Sequence, residues 1–293
     1  MGKFMTTKEA SVRWDISTRR INVLCKTGRI SGAYKEDNQW FIPADAEKPA
    51  DKRLKEEAIR VNVQPKAGKK LPLPIGISDY RKASTEYYYV DKTLLIRDFI
   101  DERPQVSLFT RPRRFGKTLN MDMLRVFFEK TDKDTSDYFR DKKIWACGKE
   151  YQEYQGKYPV IYVTFKDVKC ETWESAYDLI FKILRNEVER HSKLLHSNKI
   201  STYEKAYLTS ILEGDVNEND VALVFLNLSR MLHTHYDKAP IIIIDEYDTP
   251  IQQGHLRGYY DKVIGLMRAL FSGGLKDNPH LSYGFLTGIL RVA

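Results

Sequence analysis

The stretch Phe109-Thr110-Arg111-Pro112-Arg113-Arg114-Phe115-Gly116-Lys117-Thr118-Leu119-Asn120 decides how the rest of the chain is read. Gly116-Lys117-Thr118 closes it in the manner of a phosphate-binding loop, yet the position where G-x-x-x-x-G-K-[ST] opens with glycine holds Arg111. The flanks favour the loop. Val106-Ser107-Leu108-Phe109 is a short apolar run bounded by Pro104 and Pro112, which reads as a strand. After the loop, Leu119, Met123, Leu124, Phe127 and Phe128 fall on one helical stripe. Strand, loop and amphipathic helix is the context in which G-K-T carries chemistry. Backbone N–H groups at a helix start wrap phosphates, and a glycine lets them approach. Lys117 would set a point charge on the β and γ phosphates, and Thr118 would offer its hydroxyl to magnesium. Nucleotide contact is expected along Arg113, Arg114, Phe115, Gly116, Lys117, Thr118 and Leu119. Arg113 and Arg114 either add charge near the phosphates or are simply solvated. Arginine tolerates a positive φ poorly, so Arg111 predicts a loop that opens along another backbone path, set by the rigid Pro112.

A second stretch supports the first. Ile241 to Pro250, IIIIDEYDTP, is a run of four β-branched residues ending in two carboxylates. That pattern predicts a fully buried parallel strand with acids at its tip, the Walker B arrangement. Asp245 would hold magnesium, and Glu246 would orient and deprotonate an attacking water. Two more buried strands are predicted, at Pro159–Phe165 and Leu281–Leu286. Helices are predicted between the strands at Trp173–His191, Ile200–Leu212 and Asp220–His235. Such alternation builds a parallel sheet with helices on both faces, and its ligands sit at the carboxyl ends of the strands. Thr287 and Arg291, at or past the last strand, are either sensors of the γ-phosphate or a strand end followed by a surface arginine. The tyrosine-rich Tyr87-Tyr88-Tyr89-Val90-Asp91-Lys92-Thr93 precedes a helix, with Asp91 expected as its N-cap. These tyrosines either flank the adenine or pack.

The whole chain sets the frame. Its 293 residues, 42% hydrophobic, suffice for one large domain or for an ordinary domain and a small one. No apolar run is long enough to cross a bilayer, and the opening MGKFMTTKEA is not a signal peptide. Cys25, Cys147 and Cys170 are far apart and form no C-x-x-C pair, as in a cytoplasmic protein with reduced thiols. Of the net charge of +8, residues 1–74 hold +7, with 16 Lys and Arg against 9 Asp and Glu. Such polarity points to an anionic partner for that end, or in part to a solvated basic linker. The boundary lies between Pro43 and Pro74. That segment is charged, carries Pro49, Pro65 and Pro72, and shows no apolar period beyond a short helix expected at Lys52–Ile59. It divides a head, residues 1–43, from a body, residues 75–293, by a linker, residues 44–74.

In the head, Thr6-Thr7-Lys8-Glu9 reads as a capping box, followed by a helix with Ala10 and Trp14 inward. Ser17 can cap a second helix, in which Ile21, Leu24 and Cys25 form the inner stripe. Arg19, Arg20, Asn22 and Lys26 face out, and Gly28 stops the helix. Two extended pieces, Gly32–Lys35 and Gln39–Ile42, make a hairpin. The pattern is a small winged helix-turn-helix domain.

Two resemblances follow. The head is similar to MerR-type and excisionase-type DNA-binding domains, through Lys8-Glu9-Ala10, Ile16 to Ile21, Gly28-Arg29-Ile30 and Trp40-Phe41-Ile42-Pro43. This implies double-stranded DNA as partner, with the second helix in the major groove and Arg19, Arg20, Asn22 and Lys26 on bases or phosphates. The alternative is a protein-docking module. The body resembles the bacterial AAA-ATPase-like family of P-loop proteins, through Leu73 to Tyr80, Tyr89 to Thr93, Phe109 to Thr118, Ile244 to Pro250 and Thr287 to Arg291. In that family R-P-R-R-F-G-K-T is the customary loop, so Arg111 is expected as a family variant. The resemblance implies an α/β P-loop NTPase fold, ATP and Mg2+ as cofactors, and ATP hydrolysis through Glu246 and Lys117. A DNA-bound nucleotide switch with little turnover is the alternative, and a homo-oligomer is left open. Family members commonly continue into a helical lid and a PD-(D/E)xK nuclease-like domain. Since the chain stops at Ala293, it is expected to be a fragment or a shortened gene product.

Overall fold

A computed structural model describes residues 4–14, 16–37, 39–48, 71–112 and 115–289. The readings placed on Arg113, Arg114, Arg291 and the helix at 52–59 lie outside the described residues. The chain divides into two compact units, Met1–Val63 and Gln64–Ala293.

In the first unit, β1 (Phe4–Thr6), α1 (Thr7–Trp14), α2 (Thr18–Lys26), β2 (Tyr34–Glu36) and β3 (Gln39–Pro43) enclose one small core. The sheet is antiparallel, in the order β1-β3-β2, with Met5 opposite Ile42 and Tyr34 opposite Phe41. The helix starts follow their side chains. Thr6 N–H donates to Glu9 Oε2 at 2.7 Å and Glu9 N–H to Thr6 Oγ1 at 3.3 Å, a reciprocal box. Ser17 Oγ accepts from Arg20 N–H. Ala10, Trp14, Ile21, Leu24, Cys25, Ile30 and Ile42 are buried together. Gly28, at φ 67°, ends α2 in a conformation that suits a residue without Cβ. The three-residue β1 is invisible in the sequence, because a run this short carries no period.

The second unit is built on four parallel strands: β4 (Val106–Thr110), β5 (Val160–Thr164), β6 (Ile241–Asp245) and β7 (Tyr283–Gly288), in the order β4-β7-β6-β5. The strand preceding the phosphate-type loop, β4, and the acid-tipped strand, β6, are therefore not neighbours; β7 lies between them. Alternate residues of β6 feed two cores. Ile241 and Ile243 join one with α3 (Tyr80–Glu86), α4 (Leu94–Glu102) and α5 (Lys117–Phe128). Ile242 and Ile244 join the other with the helices on the opposite face. After α6 (Lys143–Ala146) and α7 (Lys149–Gln152), that second layer comprises α8 (Trp173–Arg190), α9 (Thr202–Glu213), α10 (Glu218–Ala222), α11 (Val224–Tyr236), α12 (Thr249–Arg257) and α13 (Tyr260–Leu275). Residues on alternate sides of a strand pointing into two apolar layers is what an uninterrupted isoleucine run requires. One helix expected at Asp220–His235 is two. Asn217 and Asp220 form a capping box that starts α10, and Leu223, at φ −96° and ψ 1°, separates it from α11.

The outer edge of β5 is closed by side chains. Glu187 Oε1 accepts the Tyr162 N–H at 2.9 Å, and the Arg190 guanidinium donates to the Val160 carbonyl. Arg190 also pairs with Glu187, at 2.6 Å, and with Glu129. Arg125 on α5 joins Glu129, at 3.0 Å, to Asp122, at 2.6 Å, and Asp122 accepts the Tyr80 N–H at 2.7 Å. Glu187, Glu129 and Asp122 are all buried. Burial alone would raise the Glu187 carboxyl, but the Arg190 charge and hydrogen bonds from His191 and Arg190 hold it below its ordinary value.

Candidate nucleotide-binding site

At the carboxyl end of the sheet, the loop after β4 leads into α5. Arg111 solves the problem of the missing glycine by staying in the sheet. Its φ is not positive, and its N–H donates to the Gly288 carbonyl at 3.2 Å, continuing the β4–β7 ladder by one bond. The left-handed turn falls instead on Gly116, at φ 74°, immediately before α5. Lys117 folds back over the loop. Its Nζ donates to the Arg111 carbonyl at 2.8 Å and to the Pro112 carbonyl at 3.2 Å, and the residue is buried. Phe115 stands 61% exposed at the mouth. Leu119 is half-buried and packs on the α5 core, so its part in the loop is its backbone.

Three hydroxyls from three elements converge on Asp245, which is fully buried. Thr118, at the start of α5, donates to Oδ2 at 2.8 Å. Thr164, at the tip of β5, reaches the same oxygen at 3.4 Å, and Thr287 on β7 donates to Oδ1 at 2.5 Å. Among the described residues Asp245 makes no salt bridge. Beside this carboxylate Thr118 presents a second hard oxygen. Such a donor set suits magnesium, which takes oxygen ligands and retains several waters. Asp245 and Thr118 would hold it.

Thr287 serves both acids. Besides donating to Asp245, its hydroxyl accepts the Glu246 N–H at 3.1 Å, and its carbonyl accepts the Tyr247 N–H at 2.9 Å. Glu246 thereby leaves the strand at φ 52°, in the left-handed region a side chain disfavours. Its carboxylate, half-buried, lies 3.4 Å from Thr249 Oγ1. Asp248 accepts the Ile289 N–H at 2.8 Å and the Gln252 side chain at 2.5 Å, fastening the segment after β6 to the end of β7. A Cβ on Gly288 would lie 2.7 Å from the Tyr247 ring, so only glycine lets these two segments close. Asp248 and Gly288 were not singled out by sequence reasoning; the acid beyond the D-E pair was the available signal.

The tyrosine-rich segment differs from expectation. Asp91 does not cap α4, which begins after Thr93. One of its oxygens takes the Thr93 N–H, at 2.8 Å, and the Thr93 hydroxyl, at 2.7 Å; the other takes the Lys143 N–H at 2.8 Å. Tyr89 is half-buried, against Tyr80 and Met123.

In the head, Arg19, Arg20, Asn22 and Lys26 are all exposed along α2. No helix among the described residues is long and apolar enough to cross a membrane.

A four-stranded parallel sheet between helical layers, with a glycine-lysine-threonine loop and a buried strand-tip aspartate brought together, is a P-loop-like α/β fold of the nucleotide-binding class. The chain belongs to the AAA-ATPase-like family, described as "Predicted AAA-ATPase", whose model matches residues 74–293. Membership points to nucleotide binding with magnesium dependence. A protein of Azotobacter chroococcum mcd 1, described as "Uncharacterized protein in vnfD 5'region", is 28% identical over 225 residues. That match covers 75% of this chain and 38% of the relative's length. No solved structure matches the chain.

Proposed function

We propose that the second unit is a magnesium-dependent ATPase and that the first is a winged helix-turn-helix module that places it on double-stranded DNA. The observation carrying the ATPase reading is the meeting of Thr118, Asp245, Thr287 and Glu246 at the carboxyl end of the sheet, beside the Gly116-Lys117 turn. In this reading Lys117 leaves the carbonyls of Arg111 and Pro112 for the β and γ phosphates, which replace two neutral acceptors with charged ones. Magnesium supplies charge neutralisation at the phosphates when bound. Thr118 and Asp245 would hold it, and Thr287 keeps the Asp245 carboxylate in one orientation. Glu246 takes the proton of the attacking water.

Phosphate release from ATP by the purified chain tests this beside Lys117→Ala and Glu246→Gln. Each variant is expected to lose at least about a hundredfold in turnover, the usual scale for a general base or a principal charge contact. Magnesium-ATP binding without turnover in the parent would instead favour a nucleotide switch. Supporting the DNA reading are the +7 charge of residues 1–74 and the exposed Arg19, Arg20, Asn22 and Lys26 on one helix. Arg19→Ala/Arg20→Ala is expected to weaken duplex binding in a low-salt mobility assay and to flatten its salt dependence. Unchanged affinity would assign the head to another partner.

A further inference from the structure

We propose that Lys92 is a second lysine for the phosphate chain of the bound nucleotide, delivered to the loop from outside it. The inference rests on the nucleotide reading above.

Lys92 belongs to Asp91-Lys92-Thr93, remote in sequence from the G-K-T loop. In space its ammonium stands over the left-handed turn at Gly116: Nζ is 3.6 Å from the Cβ that Gly116 lacks. Among the described residues no carboxylate and no carbonyl takes that ammonium; the hydrogen bonds of Lys92 are made by its backbone, whose N–H donates to Tyr89 Oη at 3.4 Å and whose carbonyl accepts the Leu95 N–H at 3.0 Å. The side chain is exposed. A mobile surface lysine would have no reason to be noticed, but the backbone carrying this one is fixed on both sides. Asp91 is spent on Thr93 and on the Lys143 N–H. Thr93 is fully buried, and its hydroxyl also accepts the Ile144 N–H at 3.1 Å. Tyr89, three residues before Lys92, packs on Tyr80 and reaches Met123 Sδ on α5 at 3.4 Å. The clip thus ties the segment both to α6 and to the helix that opens with the loop.

Physical chemistry identifies what completes such an arrangement. Two ammonium groups are brought to one glycine turn at a helix N-terminus, where the helix dipole and free N–H groups already favour negative charge. Among the described residues the Lys117 ammonium meets only carbonyl oxygens, and the Lys92 ammonium meets no acceptor. Gathering cations without counter-ions is unfavourable until a polyanion arrives. The ligand class is therefore the di- or triphosphate of a nucleoside. A lysine contributes here as a point charge on a flexible stem, so arginine should substitute well enough to retain binding.

Calorimetric titration of the full chain with magnesium-ATP, across a range of salt, tests the assignment. The parent should bind. Lys92→Ala should bind about tenfold more weakly, the scale of one charge-assisted contact, with a shallower salt dependence, and Lys92→Arg should regain most of the loss. Thermal midpoints equal to the parent's would show an intact clip. If Lys92→Ala melts early, Lys92→Met, which keeps the stem, decides. Affinity of Lys92→Ala or Lys92→Met within twofold of the parent, while Lys117→Ala loses binding, would overturn the inference and leave the nucleotide site standing. Failure of the parent to bind magnesium-ATP would overturn both.

Discussion

Two buried acidic clusters flank α5, and they are completed in opposite ways. Toward its middle and end, Asp122, Glu129 and Glu187 are matched by Arg125 and Arg190, so every carboxylate faces a guanidinium. At its start, Asp245 is surrounded by Thr118, Thr164 and Thr287, which supply hydrogen bonds and no positive charge. The first cluster needs nothing further and holds the helix against the sheet edge. The second is satisfied in hydrogen bonding and unsatisfied in charge. Burial of an acid is therefore a poor guide to function by itself; what surrounds the acid separates a fastening from a site.

The largest expected effect attacks the compensated cluster. Arg190→Ala strips a guanidinium from Glu187 and Glu129 and also uncovers the Val160 carbonyl. Breaking a buried pair from one side costs about 3 kcal/mol, or a fall of roughly 5 to 10 °C in thermal midpoint for a unit of this size. Calorimetry or circular dichroism reads it; a fall under about 2 °C would mean that the network is decorative. The matching change at the other cluster should do the reverse. Asp245→Asn removes a buried charge while the three hydroxyls rotate to suit the amide. Its stability without nucleotide is expected within about 1 kcal/mol of the parent, while magnesium-dependent tightening of ATP binding disappears. Equal destabilisation of both variants would erase the distinction between the clusters. The smallest effect is in pH. Because the Glu187 carboxyl is held below its ordinary value of 4.5, its contribution is complete above that pH and fades as the pH falls through the lowered value. The stability gap between parent and Glu187→Gln should accordingly narrow in acid, as thermal melts across that range would record.

The same contrast explains what the sequence made legible. The site at Asp245 announces itself, because chemistry places particular residues at fixed offsets. Four isoleucines before an acid pair, and a glycine-lysine-threonine before an amphipathic stripe, are local patterns, and the strands and α5 appear where those patterns lie. The arginine network carries no such signal. Its pairs along α5 and α8 are three or four residues apart, as on any charged helix face, but the links that join them, Glu187 to Tyr162 and Arg190 to Val160 and Glu129, span 25 to 61 residues and form only after the sheet and α8 have packed. Asp91 illustrates the same limit at short range. An aspartate before a helix reads as a cap, yet its second oxygen goes to the Lys143 N–H, a contact set by tertiary structure. At Arg111 the sequence predicted another backbone path without giving its form: the residue extends the strand, and Gly116 carries a left-handed turn before α5.

Glu246 has one more consequence. Its backbone sits at φ 52°, where a β-carbon is a burden and glycine is at ease. Replacing it by glycine would relax that burden, on the order of 1 kcal/mol, while deleting the carboxylate proposed above as the general base. Folding and turnover thus pull this position in opposite directions. A population of variants selected for heat tolerance alone should drift toward glycine here, and a population selected for ATP consumption should not.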